Sequence, residues 1–390
     1  MIKREAENEL RYLATQFKAV AVVGPRQSGK TTLVRMVFEG KAYVSLENPD
    51  IRRFAMEDPR GFLYNYPNGA ILDEIQRVPH LFSYLQQVLD ERASKGQFIL
   101  TGSNNFLLQE SISQSLAGRV GYLFLLPLSM NELKYKDEID FWLYKGGYPV
   151  LHQEETETSR FYANYIRTYI ERDVRLLKNI SDLYAFERFL RLCAGRIGQL
   201  LNMSNLAVEV GVDTKTIGAW LAVLETSFIL FRLQPFHESY NKRIVKMPKI
   251  YFYDTGLACA LLGVENQKQL ALNPFRGHLF ENAVIVELLK RRLNNGKTNN
   301  LFFWRDNVGN EIDVLVVMAT EKLAIEIKSG QTISNEYFKG IQFWNKITQT
   351  GGGLVVYGGE SVQRRSNGIQ VVPLTELYAN LDDLEKIESS

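Results

Sequence analysis

The chain has 390 residues, 45% hydrophobic and 23% charged. That is length for two or three packed domains with a globular composition, which excludes disordered and fibrous classes. The net charge of +2 and pI near 8.3 neither demand nor forbid a nucleic-acid partner. Cys193 and Cys259, each among apolar neighbours, are too few and too far apart for a disulfide framework or a zinc site. The start Met1-Ile2-Lys3-Arg4-Glu5 has no apolar signal core, and no uncharged run approaches a membrane span, so the expectation is a cytoplasmic protein without a membrane partner.

The first strong signal is the apolar run Val20-Ala21-Val22-Val23 leading into Gly24-Pro25-Arg26-Gln27-Ser28-Gly29-Lys30-Thr31-Thr32. The loop has the G-x-x-x-x-G-K-[ST] form, and Leu33, Val34, Met36 and Val37 carry helical spacing beyond it, so strand, loop and helix stand in P-loop order. Successive backbone N–H groups then form an anion nest at a helix N-terminus. Lys30 is expected to reach the β- and γ-phosphates of ATP, and Thr31 to hold Mg²⁺. Ala42 to Leu46 reads as a second strand closed by Glu47-Asn48-Pro49-Asp50. The run Ala70-Ile71-Leu72-Asp73-Glu74 ends in two carboxylates. In an open α/β sheet that strand end lies beside the P-loop, so Asp73 is expected in the Mg²⁺ shell and Glu74 at the attacking water.

A fourth strand, Gln97 to Thr101, ends in Gly102-Ser103-Asn104-Asn105. Ser103, or second to it Asn104, is placed to sense the γ-phosphate, with a helix cap as the plain alternative. Arg119 precedes the strand Tyr122 to Leu126; it is either an arginine finger, acting in cis or from a neighbouring subunit, or an ordinary salt-bridged arginine. Five strands with interleaved helices predict a doubly wound α/β nucleotide-binding core.

With those motifs quoted, together with Leu46-Glu47-Asn48-Pro49, Leu72-Asp73-Glu74-Ile75-Gln76, Leu100-Thr101-Gly102-Ser103 and Pro127-Leu128-Ser129-Met130-Asn131-Glu132-Leu133, the chain resembles the prokaryotic AAA-type ATPases that carry a C-terminal domain of unknown function. The resemblance spans essentially the whole chain and implies ATP-driven conformational work. No second sensor arginine is evident after the core sheet.

Residues 137 to 192 carry helical spacing, broken at Gly146-Gly147-Tyr148-Pro149. Tyr165 to Val174 resembles the family again, and Arg172-Asp173 reads as an internal ion pair or as a link between nucleotide state and lid. Ser204 opens a helix through Val210, Gly211-Val212 turns, and Asp213 caps a second helix through Leu224. With Phe228 to Phe231 as a wing strand this is a winged helix-turn-helix pattern. Thr214, Lys215 and Thr216 would face a DNA groove, yet the helix is poor in Arg and Lys, which favours a module that packs on the ATPase core or on a protein partner.

In the last third, Phe275 to Arg292 predicts an amphipathic helix whose apolar side Glu281 interrupts. Strands follow at Leu301 to Arg305, Glu311 to Val316 and Leu323 to Lys328. Glu326 and Lys328 share one face, where Asp313 of the adjacent strand can meet them. Such charges between Ile325 and Ile327 must be paired or metal-bound. Glu281, Asp313 and Glu326-Ile327-Lys328 resemble the pattern of PD-(D/E)XK nucleases. The resemblance implies that Glu281, Asp313 and Glu326 hold Mg²⁺ and that Lys328 serves the attacking water; the alternative is a buried ion-pair network in a domain that no longer cuts. Arg305 either contacts phosphate or pairs with Glu311.

The expected architecture is α/β: a P-loop AAA-type doubly wound sheet (1–135), a helical lid and linker (136–195), a winged-helix-like module (196–272) and a restriction-endonuclease-like α/β domain (273–390). The expected partners are ATP, DNA, and either a second copy of the chain or another protein.

Overall fold

The first apolar run becomes a strand because every residue in it has somewhere dry to point. In the computed structural model, which describes residues 2–103, 105–135, 138–169, 182–237, 246–318 and 321–381, helix α1 (Glu7–Gln16) precedes strand β1 (Ala19–Val23), whose five residues are all buried. There follow α2 (Lys30–Val37), β2 (Ala42–Ser45), α3 (Pro49–Glu57), α4 (Pro59–Tyr64), β3 (Ala70–Asp73), α5 (Leu81–Glu91), β4 (Phe98–Thr101), α6 (Asn105–Ser115) and β5 (Val120–Phe124). The five strands form one parallel sheet in the order β2-β3-β4-β1-β5. Alternation along β1 sends Val20 and Val22 toward Leu10, Leu13, Leu33 and Val34 of α1 and α2, and Ala21 and Val23 into the opposite layer with Leu85 and Leu89 of α5. Helices therefore cover both faces, as the run of strands predicts. In a parallel sheet all C-terminal strand ends lie along one edge, so the loops after β1, β3 and β4 meet there.

The middle of the chain is helical: α7 (Met130–Leu133), α8 (Ile139–Lys145), α9 (Val150–Gln153), α10 (Thr158–Tyr169), α11 (Leu183–Ala194), α12 (Met203–Val210) and α13 (Thr214–Thr226). An antiparallel pair follows, β6 (Leu230–Leu233) with β7 (Lys249–Phe252), then α14 (Thr255–Leu261) and α15 (Gln267–Ala271). Asp213 caps α13 as expected, accepting from Thr216 N at 2.8 Å. Helix α12 begins before Ser204, because Asn202 is an equally good cap and accepts from Asn205 N at 3.0 Å. Phe228 does not start the wing strand; with φ of 56° it closes α13, and β6 begins two residues later. The residues Arg172 and Asp173 lie outside the described residues.

The last part is α16 (Arg276–Asn294), β8 (Leu301–Arg305), β9 (Glu311–Val317), β10 (Lys322–Lys328), α17 (Lys339–Thr348), β11 (Gly353–Tyr357), β12 (Gln363–Arg364) and β13 (Ile369–Pro373). The sheet is mixed, in the order β12-β13-β11-β10-β9-β8, with β8, β9 and β10 antiparallel and β11 parallel to β10. The β8 edge is covered: Phe236 N donates to Phe303 O at 2.7 Å, and Phe303 N donates to Gln234 O at 3.1 Å.

Helix α16 corrects the amphipathic expectation. It is buried on every side from Leu279 through Lys290 except at Glu281, which is half-buried. The reason is tertiary: α16 packs on β5 and α8, on β7 and α14, and on β10. Its buried polar residues are accordingly satisfied. Glu287 accepts from Met130 N at 2.8 Å, and Lys290 donates to Leu128 O and to Glu287, each at 2.9 Å. The Asn282 amide bonds both the N–H and the C=O of Phe252. Among the described residues no helix is long and apolar enough to cross a membrane, and both cysteines are free and buried.

Candidate functional site

Where β1 ends, Gly24 (φ 153°) passes so close beneath β5 that an added Cβ would lie 2.1 Å from Leu125 O, so the loop can turn here only with glycine. Gly29 (φ 91°) then opens α2. The Lys30 ammonium folds over the loop and donates to the carbonyls of Gly24 (2.8 Å) and Pro25 (2.7 Å). Ser28 Oγ is buried with no hydrogen-bond partner. A polar atom left so inside an anion nest is a donor available to a phosphate, so the loop fits the group it is expected to hold.

The Walker-type acids arrive from β3. Asp73 lies 3.2 Å from Thr31 Oγ1 through both of its oxygens, accepts from Tyr43 OH at 2.7 Å and accepts from the Thr101 hydroxyl. Tyr43, second in β2, and Thr101, last in β4, were not foreseen as partners of Asp73; the polar tip on an apolar strand is the signal that could have found them. Burial first, then the bond to Asp73, pushes the Tyr43 phenol up to about 12. Glu74 sits in the left-handed region (φ 57°), which turns its carboxylate out of the strand line, and its Oε2 accepts from Ser103 Oγ and Gln76 Nε2, both at 2.7 Å. Ser103 thus meets Glu74, the acid expected at the attacking water; Asn104, the second choice, lies outside the described residues. A cavity of about 630 Å³ joins Lys30, Thr31, Asp73, Glu74 and Ser103 to a far wall of Pro149, Gln153 and Glu154. That wall starts at the Gly146-Gly147 break. Asp254 anchors it by accepting from Gly147 N at 2.8 Å and from Tyr162 OH at 2.7 Å.

The structure does not bring Arg119 to this cavity. Its backbone carbonyl accepts from Ala19 N, at the start of β1, whereas the loop follows the end of that strand, roughly 17 Å away at about 3.3 Å per residue. Its guanidinium clasps Asp90 at 2.6 and 2.9 Å. An arginine finger acting in cis is therefore corrected to a salt-bridged arginine. A different arginine braces the loop from behind. Arg4 is 6% exposed, donates to Ser28 O and Leu126 O at 2.7 Å each, and pairs with Glu132 at 2.8 Å.

The second constellation lies in the C-terminal sheet. Lys328 pairs with Glu326 at 2.6 Å and lies 3.7 Å from Asp313, whose Oδ2 accepts from Ile327 N at 2.7 Å. The Lys249 ammonium, from β7 of the middle module, lies 3.2 Å from Glu281 and 2.5 Å from Glu311; Tyr251 OH donates to Glu281 at 2.5 Å. Arg305 pairs with Glu311 at 3.0 Å. The four expected residues are neighbours, joined by Lys249, Tyr251 and Glu311. Among the described residues no three acidic, histidine or cysteine side chains stand close enough as they are to hold a metal, because ammonium groups lie between them. Burial, then Asp313, pushes the Glu326 carboxyl up to about 8 against the opposing pull of Lys328. The shift is upward because burial and the Asp313 charge penalise the carboxylate by more than the single Lys328 ammonium offsets. Burial would lower Lys249, but Glu281, Asp313 and Glu311 outweigh it and raise it.

In the middle module α11 meets α13 through Phe186, Phe189 and Trp220, α12 packs on both helices, and α13 lies against β6. Thr214 and Lys215 are exposed at the start of α13, while the Thr216 hydroxyl turns back to Asp213.

Compared with known proteins, residues 16–134 match the family described as AAA domain, residues 136–268 the Domain of unknown function (DUF8612) and residues 276–377 the Domain of unknown function (DUF4143). Uncharacterized protein Rv2008c of Mycobacterium tuberculosis is 31% identical over 336 residues, which cover 85% of this chain and 75% of that protein. Uncharacterized protein Mb2031c of Mycobacterium bovis matches to the same extent. The Walker-type ATPase PABY2304 of Pyrococcus abyssi aligns over 67% of this chain and 96% of its own, at 14% identity and a TM-score of 0.45.

Proposed function

This chain belongs to the same protein family as the two mycobacterial proteins, with an AAA domain at its front, and from that footing we propose that it binds and hydrolyses ATP as a molecular switch. The observation that carries the reading is the meeting of Lys30, Thr31, Asp73, Glu74 and Ser103 on one cavity. The loop N–H groups and Lys30 bind the phosphates. Thr31 and Asp73 would hold Mg²⁺, which supplies charge neutralisation at the phosphoryl oxygens. Glu74 orients the attacking water and accepts its proton, and Ser103 holds Glu74 in place. Because Lys30 serves binding and Glu74 serves water, Lys30→Ala is expected to abolish ATP binding. Glu74→Gln is expected to retain binding and lose about 10²–10⁴-fold in turnover. Equal turnover in wild type and both variants refutes the assignment.

A second reading, favoured by the neighbourhood of Glu281, Asp313, Glu326 and Lys328 on a helix and two antiparallel strands of the mixed sheet, is that the C-terminal domain is nuclease-like and acts on DNA that α13 helps to hold. Glu281, Asp313 and Glu326 would then hold Mg²⁺, and Lys328 would orient water. Glu326→Ala is expected to remove Mg²⁺-dependent DNA cleavage while leaving ATP turnover intact. A wild-type chain that cuts no DNA under any nucleotide condition leaves the switch with an inert domain.

A further inference from the structure

Lys249 belongs to none of the expected constellations, yet its side chain is only 4% exposed and sits at the centre of one. It reaches Glu281 of α16 and Glu311 of β9, and Tyr251, two residues on and so on the same strand face, holds Glu281 as well. Strand β7 is fixed from the other side by the loop before α12, where Gly198 N donates to Ile250 O at 2.9 Å. A Cβ on Gly198 would lie 3.2 Å from Glu281 Oε2 and 3.0 Å from His278 Nδ1. One segment of the middle module therefore lies directly over the acid cluster.

The charges explain why a lysine is there. Four carboxyl groups, Glu281, Glu311, Asp313 and Glu326, face Lys249, Lys328 and Arg305. Within the same cluster Glu326 Oε2 is buried with no hydrogen-bond partner, close to where a Cβ on Gly340 would lie. Buried carboxylates without cations are expensive, and one carboxyl oxygen here still lacks a partner. A hard divalent ion binds carboxylate oxygens at about 2.0–2.1 Å. It would compete with the Lys249 ammonium for Glu281 and with the Lys328 ammonium for Asp313 and Glu326.

We propose that Lys249 is a built-in cation that stands in the Glu281–Asp313–Glu326 cluster where a divalent metal would, so that the folded chain excludes metal there. The inference rests on the reading of these acids as metal ligands. It makes β7 of the middle module part of the C-terminal site and predicts that the folded protein is poor in metal even if the acids are ligands.

The test uses the full-length chain without nucleotide or DNA, titrated with Mn²⁺ alone and followed by calorimetry and by melting temperature. Lys249→Met is expected to bind one more Mn²⁺ per chain than wild type, at least about tenfold tighter at that site, a change of about 1.4 kcal/mol. Mn²⁺ should raise its melting temperature and not that of wild type, and adding Glu281→Gln should remove both effects. Lys249→Gln, which keeps a donor for Glu281 without the charge, should behave alike if the methionine variant does not fold. If wild type and variants bind Mn²⁺ equally at a Glu281-dependent site, Lys249 does not exclude metal and the metal reading stands. If neither binds there and the variants only melt lower, both fail, and the cluster is a structural ion network.

Discussion

At the scale of single residues, the cluster around Glu326 makes a prediction with a definite sign. Burial and Asp313 push its carboxyl up to about 8 from an ordinary value of 4.5. Below the ordinary value both folded and unfolded chains are protonated there. Between the two values only the folded chain is, so this group's contribution to stability falls as pH rises through that window and is flat above it. The slope is at most about 1.4 kcal/mol per pH unit. Glu326→Gln cannot ionise and should lack the fall, gaining on wild type as pH rises from 5 to 8. His152 and His278, which burial lowers, give slopes of the opposite sign in both proteins, so the difference between urea-unfolding curves isolates Glu326. A pH-independent difference would show that the carboxyl is not shifted. Residues of this kind divide sharply in legibility. Lys30 and Thr31 were readable because a loop motif fixes their spacing, and Asp73 and Glu74 because they end an apolar run that the loop places in context. Tyr43, Thr101, Arg4 and Lys249 were not, because what places them is a neighbour on another strand or in another module.

At the scale of elements, strands were legible to within two residues wherever an apolar run had clear ends, as at β3, β8 and β10. Helix α16 was legible in position and wrong in character: a surface helix needs one apolar stripe, and this one is enclosed on several sides. Its polar residues must then be paired inside, and Glu287 with Lys290 does this at side-chain exposures of 0% and 3%. Removing one partner leaves the other charge buried, and Met130 N loses its acceptor as well. Glu287→Ala should therefore lower stability by roughly 3–5 kcal/mol. Glu287→Leu/Lys290→Met, which removes both charges and keeps the volume, should recover much of it. Equal losses in the single and double variants would mean that the helix tolerates an unpaired lysine, and that its burial is looser than the contacts indicate.

At the scale of the whole molecule, composition and turn residues favour reading the chain as modules in series, and the family matches fall on three separate stretches, 16–134, 136–268 and 276–377. Packing gives another picture. One continuous apolar cluster includes Ala21 and Val23 of β1, Phe189 and Trp220 of the middle helices, Val284 and Leu288 of α16, and Ile325 and Leu354 of the last sheet. Sequence could not show this, because contact between modules depends on surfaces whose complementarity is not written in local periodicity. The continuity has a mechanical consequence. Leu128 and Met130, just after β5 and next to Leu126, whose carbonyl accepts from the same Arg4 that bonds Ser28 O of the nucleotide loop, are held by Lys290 and Glu287 of α16, and the same helix carries Glu281. A chain ending at residue 272 would lose α16 and expose the apolar residues of β5, α8 and α14 packed against it. Burial of apolar surface is the main favourable term in folding, at about 25 cal/mol per Å². The truncated chain is therefore expected to aggregate, or to lose ATP binding although every nucleotide-site residue is present. By the same argument the full chain should unfold by heat in one calorimetric transition, with equal calorimetric and van't Hoff enthalpies. Two or more separated transitions, or a truncated chain that binds ATP with wild-type affinity, would show that the shared core does not couple the modules.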